Sequence, residues 1–143
     1  MLTVIVVHAQ DLWMMDYQKA LERARTEKKE VLLDFTGSDW CIWCQKLEKD
    51  LFDQSLFQKF AKENLVLLKV DFPQNKEQSD VLKKQNDQLQ KQYRVEGFPT
   101  LILLDSEGKL LQQASGYFRG GPQAFITWVE SARGDKSKSS KSF

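Results

Sequence analysis

The chain has 143 residues, 41% hydrophobic and 29% charged, the balance of one soluble globular domain and not of a disordered or membrane-spanning chain. Its 21 Lys and Arg against 20 Asp and Glu leave a formal charge of +1, so no chain-wide field draws it to nucleic acid or an anionic membrane, and neither is expected as a partner. Two cysteines are too few for the disulfide framework of a small secreted scaffold.

The chain opens on the apolar run Leu2-Thr3-Val4-Ile5-Val6-Val7, and Val7-His8-Ala9 carries small residues at the spacing of a signal-cleavage site. The run is shorter than a full signal core, has no basic residue before it, and is far too short to span a membrane. Residues 1–15 therefore read either as the remnant of an export signal or as a first short strand. From Asp16 to Lys29, Tyr17, Ala20, Leu21 and Ala24 recur at helical spacing behind Asp16 as N-cap. Val31-Leu32-Leu33-Asp34-Phe35 is a short, nearly continuous apolar run, the mark of a strand buried on both faces. The runs Leu65 to Val70 and Leu101 to Leu104 repeat that mark.

Between the first two runs, Trp43, Leu47 and Leu51, then Phe52, Leu56 and Phe60, form rows on a helix that breaks near Asp53. Residues 75–92 are strongly polar, with Val81, Leu82, Leu89 and Tyr93 as a thin apolar stripe, so an exposed helix with a long loop is expected there. Glu107-Gly108 turns a hairpin between Leu101–Asp105 and Lys109–Ala114. A last helix runs from about Pro122 to Arg133, with Phe125, Trp128 and Val129 inward, and residues 134–143 form a polar tail expected to be disordered. The order is that of an α/β fold, a mixed sheet of four or five strands with helices on both faces, in one domain over residues 16–133.

The chemistry lies in Asp39-Trp40-Cys41-Ile42-Trp43-Cys44, where the two cysteines stand just after the first buried strand and open the next helix. Bridging so short a loop stabilises a fold by only about 2 kcal/mol in the chain-entropy model, so redox chemistry explains the pair better than stapling does. A zinc site needs four ligands and His8 is the only histidine, so no metal is expected; two inert core cysteines remain the bland alternative. The thiolate is the reactive form of cysteine, and a helix N-terminus favours it through the dipole and free N–H groups. Cys41 holds that position as nucleophile, and Cys44, one turn on, can resolve a mixed disulfide formed at Cys41.

Several segments together carry a family resemblance. Val31 to Phe35, the Cys41–Cys44 motif, Leu67-Leu68-Lys69-Val70-Asp71, Gly97-Phe98-Pro99-Thr100 and the hairpin with Gly108 and Gly116 resemble the thioredoxin superfamily in order and spacing, from about Asp16 to Arg133. Within it, Phe35-Thr36-Gly37-Ser38-Asp39-Trp40-Cys41 and Lys46 to Phe52 are similar to the bacterial periplasmic thioredoxin-like disulfide reductases of the DsbH type, with the carboxyl-terminal domain of DsbD as a cousin.

The resemblance implies a thioredoxin fold and roles for particular residues. Pro99 matches the family's cis-proline, with Phe98 pairing an extended substrate segment beside the cysteines. Asp34 matches the buried aspartate that takes a proton from the second cysteine, although one extra residue separates it from Cys41 compared with thioredoxin. Lys69 matches that aspartate's partner. Trp43 reads as partly exposed, shaping the substrate groove with Ile42, and Trp40 as packing beside it; Ile42-Trp43 replaces the family's Gly-Pro. The expected activity is reduction of protein disulfides without a bound cofactor, by a monomer in the periplasm recharged by a DsbD-like membrane electron donor. A disulfide isomerase or oxidant, a non-catalytic binding or chaperone module, and a cytoplasmic location remain as alternatives.

Overall fold

The computed structural model describes residues 12–141, with side chains described through Gly134. The leading apolar run and the cleavage-like Val7-His8-Ala9 lie outside the described residues. Its elements are β1 (Trp13–Met14), α1 (Tyr17–Glu27), β2 (Glu30–Thr36), α2 (Ile42–Leu47) leading into a π-helical segment (Glu48–Phe52), α3 (Ser55–Asn64), β3 (Leu65–Asp71), α4 (Asp80–Gln92), β4 (Thr100–Leu104), β5 (Leu110–Ser115) and α5 (Gly121–Lys141). Among the described residues, no helix is long and apolar enough to cross a membrane.

The five strands form one sheet in the order β1-β3-β2-β4-β5. β1 and β2 run parallel to β3, whereas β4 is antiparallel to both β2 and β5. Side chains alternate across a strand, so each apolar run feeds two cores at once. On one face Leu32, Leu67, Leu101 and Leu103 pack with Leu47, Phe52, Phe57, Phe125 and Val129 of the helices above. On the other, Val31, Leu33, Phe35, Val66, Leu68 and Ile102 meet Ala20 and Ala24 of α1 and Leu89 of α4. This is the mixed sheet with helices on both faces that the sequence predicts, with β1 at its edge at Trp13–Met14.

Register decides what lies under α2. Asp34 is paired with Lys69 across β2 and β3, and Leu32 with Leu67 two residues earlier. Leu32 and Leu67 belong to the core beneath α2, so the period of two sends Asp34 and Lys69 to that same face.

Three expectations change. The π-helical segment, in which Asp53 N–H donates to the Glu48 carbonyl at 2.8 Å, adds a residue to one turn and rotates everything beyond it. Phe57 and Ala61 therefore point fully inward, Phe60 packs against the core edge as expected, and Leu56 is exposed. On α4, Val81 is 82% exposed, and the inward position belongs to Asn86, whose side-chain amide donates to the Asp71 carbonyl at 3.0 Å. Finally, α5 begins at Gly121 and its backbone continues to Lys141, through residues expected to form a disordered tail.

Candidate active site

The β2–α2 connection brings both cysteines to the sheet's end. Cys41 N–H donates to the Gly37 carbonyl at 2.8 Å, closing a turn over which the Trp40 indole lies. A Cβ on Gly37 would overlap that indole, which is why glycine stands there. Ser38 donates from N–H and Oγ to the Asp71 carboxylate at 3.0 and 2.6 Å, tying this turn to the end of β3. Asp39 accepts from Gln74 and Asn75 N–H at 2.9 and 2.8 Å, and the Gln74 bond leads the causes that hold its pKa below the usual carboxylate value.

Cys41 is the N-cap of α2, its sulfur accepting from Cys44 N–H at 3.2 Å. The helix thus begins at Ile42, one residue earlier than the apolar row predicts. The two cysteines are joined as a disulfide with Cα atoms 5.2 Å apart, so the structure is the oxidised form. Both are nearly buried. Cys41 Sγ lies 3.8 Å from the Phe98 carbonyl oxygen, and the Phe98–Pro99 peptide bond is cis. Pro99 is held in turn by Gly116 N–H donating to its carbonyl at 2.8 Å.

Aromatic side chains flank this face on two sides. Trp40 donates from Nε1 to the Phe72 carbonyl at 2.8 Å and meets Phe98 edge-on at 6.0 Å, with Phe72 stacked on Phe98 at 5.0 Å. Trp43, half exposed, does not pack beside Trp40 as expected; its ring partner is Tyr117, 5.5 Å away on the β5–α5 loop. The helical turn places Trp40 and Trp43 on opposite flanks of Cys41. Ile42 is 77% exposed, as a substrate-contacting residue would be. Tyr117 was not foreseen: its hydroxyl donates to Asp50, which also accepts from Lys46 at 2.7 Å, and the Lys46 ammonium sits 5.4 Å above its ring.

Behind the cysteines lies the polar pair. Asp34, 2% exposed, accepts from Lys69 Nζ at 3.0 Å through Oδ2, while Oδ1 has no hydrogen-bond partner. Burial raises the Asp34 pKa against the opposing pull of Lys69. Lys69 also donates to Glu48 Oε2 at 3.0 Å. Burial works against its ammonium, but Asp34 and Glu48 outweigh burial and raise its pKa. Glu48 escapes a reading of the sequence because exposed helical glutamates are usually only solvated; its one signal is the spacing of four from Cys44, which puts both on one helix face. A cleft of about 500 Å³ is lined by Cys44, Glu48, Lys69, Trp13 and Asp71 among others, and by neither Cys41 nor Phe98. Cys44 thus lines this cleft, whereas Cys41 neighbours the Phe98 carbonyl.

A dithiol–disulfide pair capping a helix beside a cis-proline, on a sheet of this topology, defines a thiol–disulfide oxidoreductase of thioredoxin fold. The chain belongs to the thioredoxin-like domain family, which matches it over residues 17–133. It is 40% identical over 126 residues to the disulfide bond reductase DsbH of Chlamydia pneumoniae, covering 88% of this chain and 75% of that protein. The solved structure of a DsbH oxidoreductase superposes with a TM-score of 0.78 at 41% identity, covering 84% of this chain and 82% of that one. The reduced carboxyl-terminal domain of Neisseria meningitidis DsbD gives 0.60 at 26% identity, over 80% of this chain and 92% of the domain.

Proposed function

We propose that the protein reduces disulfides in other proteins, with Cys41 attacking and Cys44 resolving. The Cys41 thiolate attacks one sulfur of the substrate disulfide, forming a mixed disulfide and releasing the other sulfur as a thiolate that takes a proton from water. Cys44 loses its proton, attacks Cys41 Sγ and expels the second substrate thiolate, leaving the Cys41–Cys44 disulfide. Two electrons pass to the substrate, and an external dithiol must return them before the next cycle. The Cys44 proton passes to Asp34 by way of the Lys69 end of the rear cleft, which Cys44 and Lys69 both line. Lys69 steadies the carboxylate that receives it, and Glu48 exchanges with solvent at the open end.

The observation that carries this reading is the different surroundings of the two cysteines. Cys41 caps α2 and faces the Phe98 carbonyl, whereas Cys44 faces the Lys69–Glu48 cleft. Ile42, Trp43, Trp40, Phe98 and Pro99 form the groove for an extended substrate segment. Relatives named as Dsb proteins support a periplasmic site of action on protein disulfides, and we take the working unit to be a monomer. In that compartment, kept oxidising, the reducing equivalents come from a membrane protein of the DsbD kind. Reduction of insulin by dithiothreitol tests the activity: catalytic turnover is expected, and binding without turnover would establish a non-catalytic module.

A further inference from the structure

We propose that Trp13, on the two-residue edge strand β1, is a positioning residue of the redox site that fixes the Lys69 ammonium over Asp34. The proposal rests on the proton-handling role given above to Asp34 and Lys69.

Lys69 Nζ has three N–H donors. One goes to Asp34 Oδ2 and one to Glu48 Oε2, both at 3.0 Å. The remaining side of the ammonium is covered by rings, with the Trp13 centroid 3.9 Å from Nζ and that of Phe52 at 4.9 Å. An ammonium that close to an indole face is attracted by the ring quadrupole, and the attraction is larger where water is excluded, as it is for a lysine 18% exposed. The indole is itself held, edge-on to Phe52 at 4.9 Å and stacked at 6.5 Å on Phe57. Trp13 shares the rear cleft with Cys44.

The consequence reaches Asp34 because its other oxygen has no hydrogen-bond partner. Any freedom gained by Lys69 is therefore felt in full by the carboxylate. The groups facing Lys69 are Asp34 from β2, Glu48 from the π-helical segment and Cys44 from α2 across the cleft, with Asp71 further along β3. Asp71 is engaged by Ser38 and by Lys76 at 3.3 Å, and Lys49 and Asp53 stand at the cleft rim. β1 contributes no titratable group, only the ring. Without that ring the ammonium can swing toward Glu48 and solvent. Asp34 then holds its proton to higher pH and is a base over a narrower range.

The test uses the reduced protein and Ellman's reagent. Thionitrobenzoate is released in two steps, and the second, independent of reagent concentration, reports attack by Cys44. Its rate is followed between about pH 6 and 9, where thiols ordinarily titrate. Trp13→Leu should move the acid limb of this profile upward by about half a pH unit or more, and Trp13→Phe, which keeps a weaker π face, by less. Lys69→Met should shift the profile by itself, and adding Trp13→Leu or Trp13→Phe to it should produce no further shift. Loss of melting temperature alone, with the wild-type profile kept in both Trp13 variants while Lys69→Met shifts it, would reduce Trp13 to packing. An additive shift in the double variant would show that Trp13 acts by another route, which also overturns the proposal. A profile unmoved by Lys69→Met would remove the proton-handling reading, and this one with it. Should Trp13→Leu not fold, the Trp13→Phe arm of the same cycle decides.

Discussion

Asp34 and Lys69 meet at 3.0 Å on the sheet face that α2 covers, aligned residue for residue across β2 and β3. An ion pair withdrawn from water so far gains little net stability, because desolvating the two charges offsets their attraction. Lys69 lines the same cleft as Cys44, a placement that fits management of the Cys44 proton better than it fits a gain in stability.

The division of labour between the sulfurs is tested by trapping. Cys44→Ser should leave Cys41 able to attack but unable to be released, so mixed disulfides with substrate proteins accumulate on non-reducing gels. Cys41→Ser should abolish both turnover and trapping. Limiting iodoacetamide should label Cys41 of the reduced protein first, and preferential labelling of Cys44 would reverse the assignment.

Asp34→Asn should slow the Cys44 step near neutral pH by removing its base, while the fold persists. The same variant carries a stability signature. Burial raises the folded-state pKa of Asp34 above its ordinary 3.8, so between the two values the unfolded chain sheds a proton that the folded one retains. Wild-type stability therefore falls as pH rises from about 3.8 through the folded value, and the variant does not share that loss. The melting-temperature difference, variant minus wild type, should grow as pH rises above about 3.8. A constant difference, with an unchanged rate, would make Asp34 a purely structural residue.

The redox potential sets the direction of the chemistry. Lys46 is committed to Asp50, which raises its pKa, and Lys69 to Asp34 and Glu48, so the helix N-terminus is the main stabiliser of the Cys41 thiolate. The potential should lie nearer the thioredoxin value of about −270 mV than the DsbA value of about −120 mV. Equilibration with glutathione measures it. A value above about −180 mV would favour an oxidant or isomerase.

Trp43 and Tyr117 pack together on one flank of Cys41, with rings 5.5 Å apart. Trp43→Ala removes a half-exposed aromatic from the proposed contact surface, and aromatic anchors of this kind dominate binding. About a tenfold loss in kcat/KM for insulin is expected, carried mostly by KM, with a smaller effect on a small disulfide. Equal losses for both substrates would show that Trp43 acts on the chemistry and not on substrate contact.

Much of this was legible in the chain itself. The three buried strands, the hairpin, the helix opening at the cysteine pair and the alignment of Asp34 with Lys69 follow from local pattern and family spacing, because burial on two faces leaves near-continuous apolar runs. What only tertiary structure decided depends on rotation and distance. The extra residue in the π-helical segment turned Phe57 inward and Leu56 out, an outcome that regular i, i+4 counting cannot register. Trp43 found Tyr117, more than seventy residues away, in place of its near neighbour Trp40, because the helical turn around Cys41 separates the two indoles. In the sequence Glu48 carries only the mark of a solvated helix residue, and Trp13 only that of a signal remnant or a first short strand. They became parts of the site only when the parallel pairing of β1 with β3 and the packing of α2 over Lys69 brought a carboxylate and an indole to one ammonium, a contact between segments whose sequence separation carries no pattern.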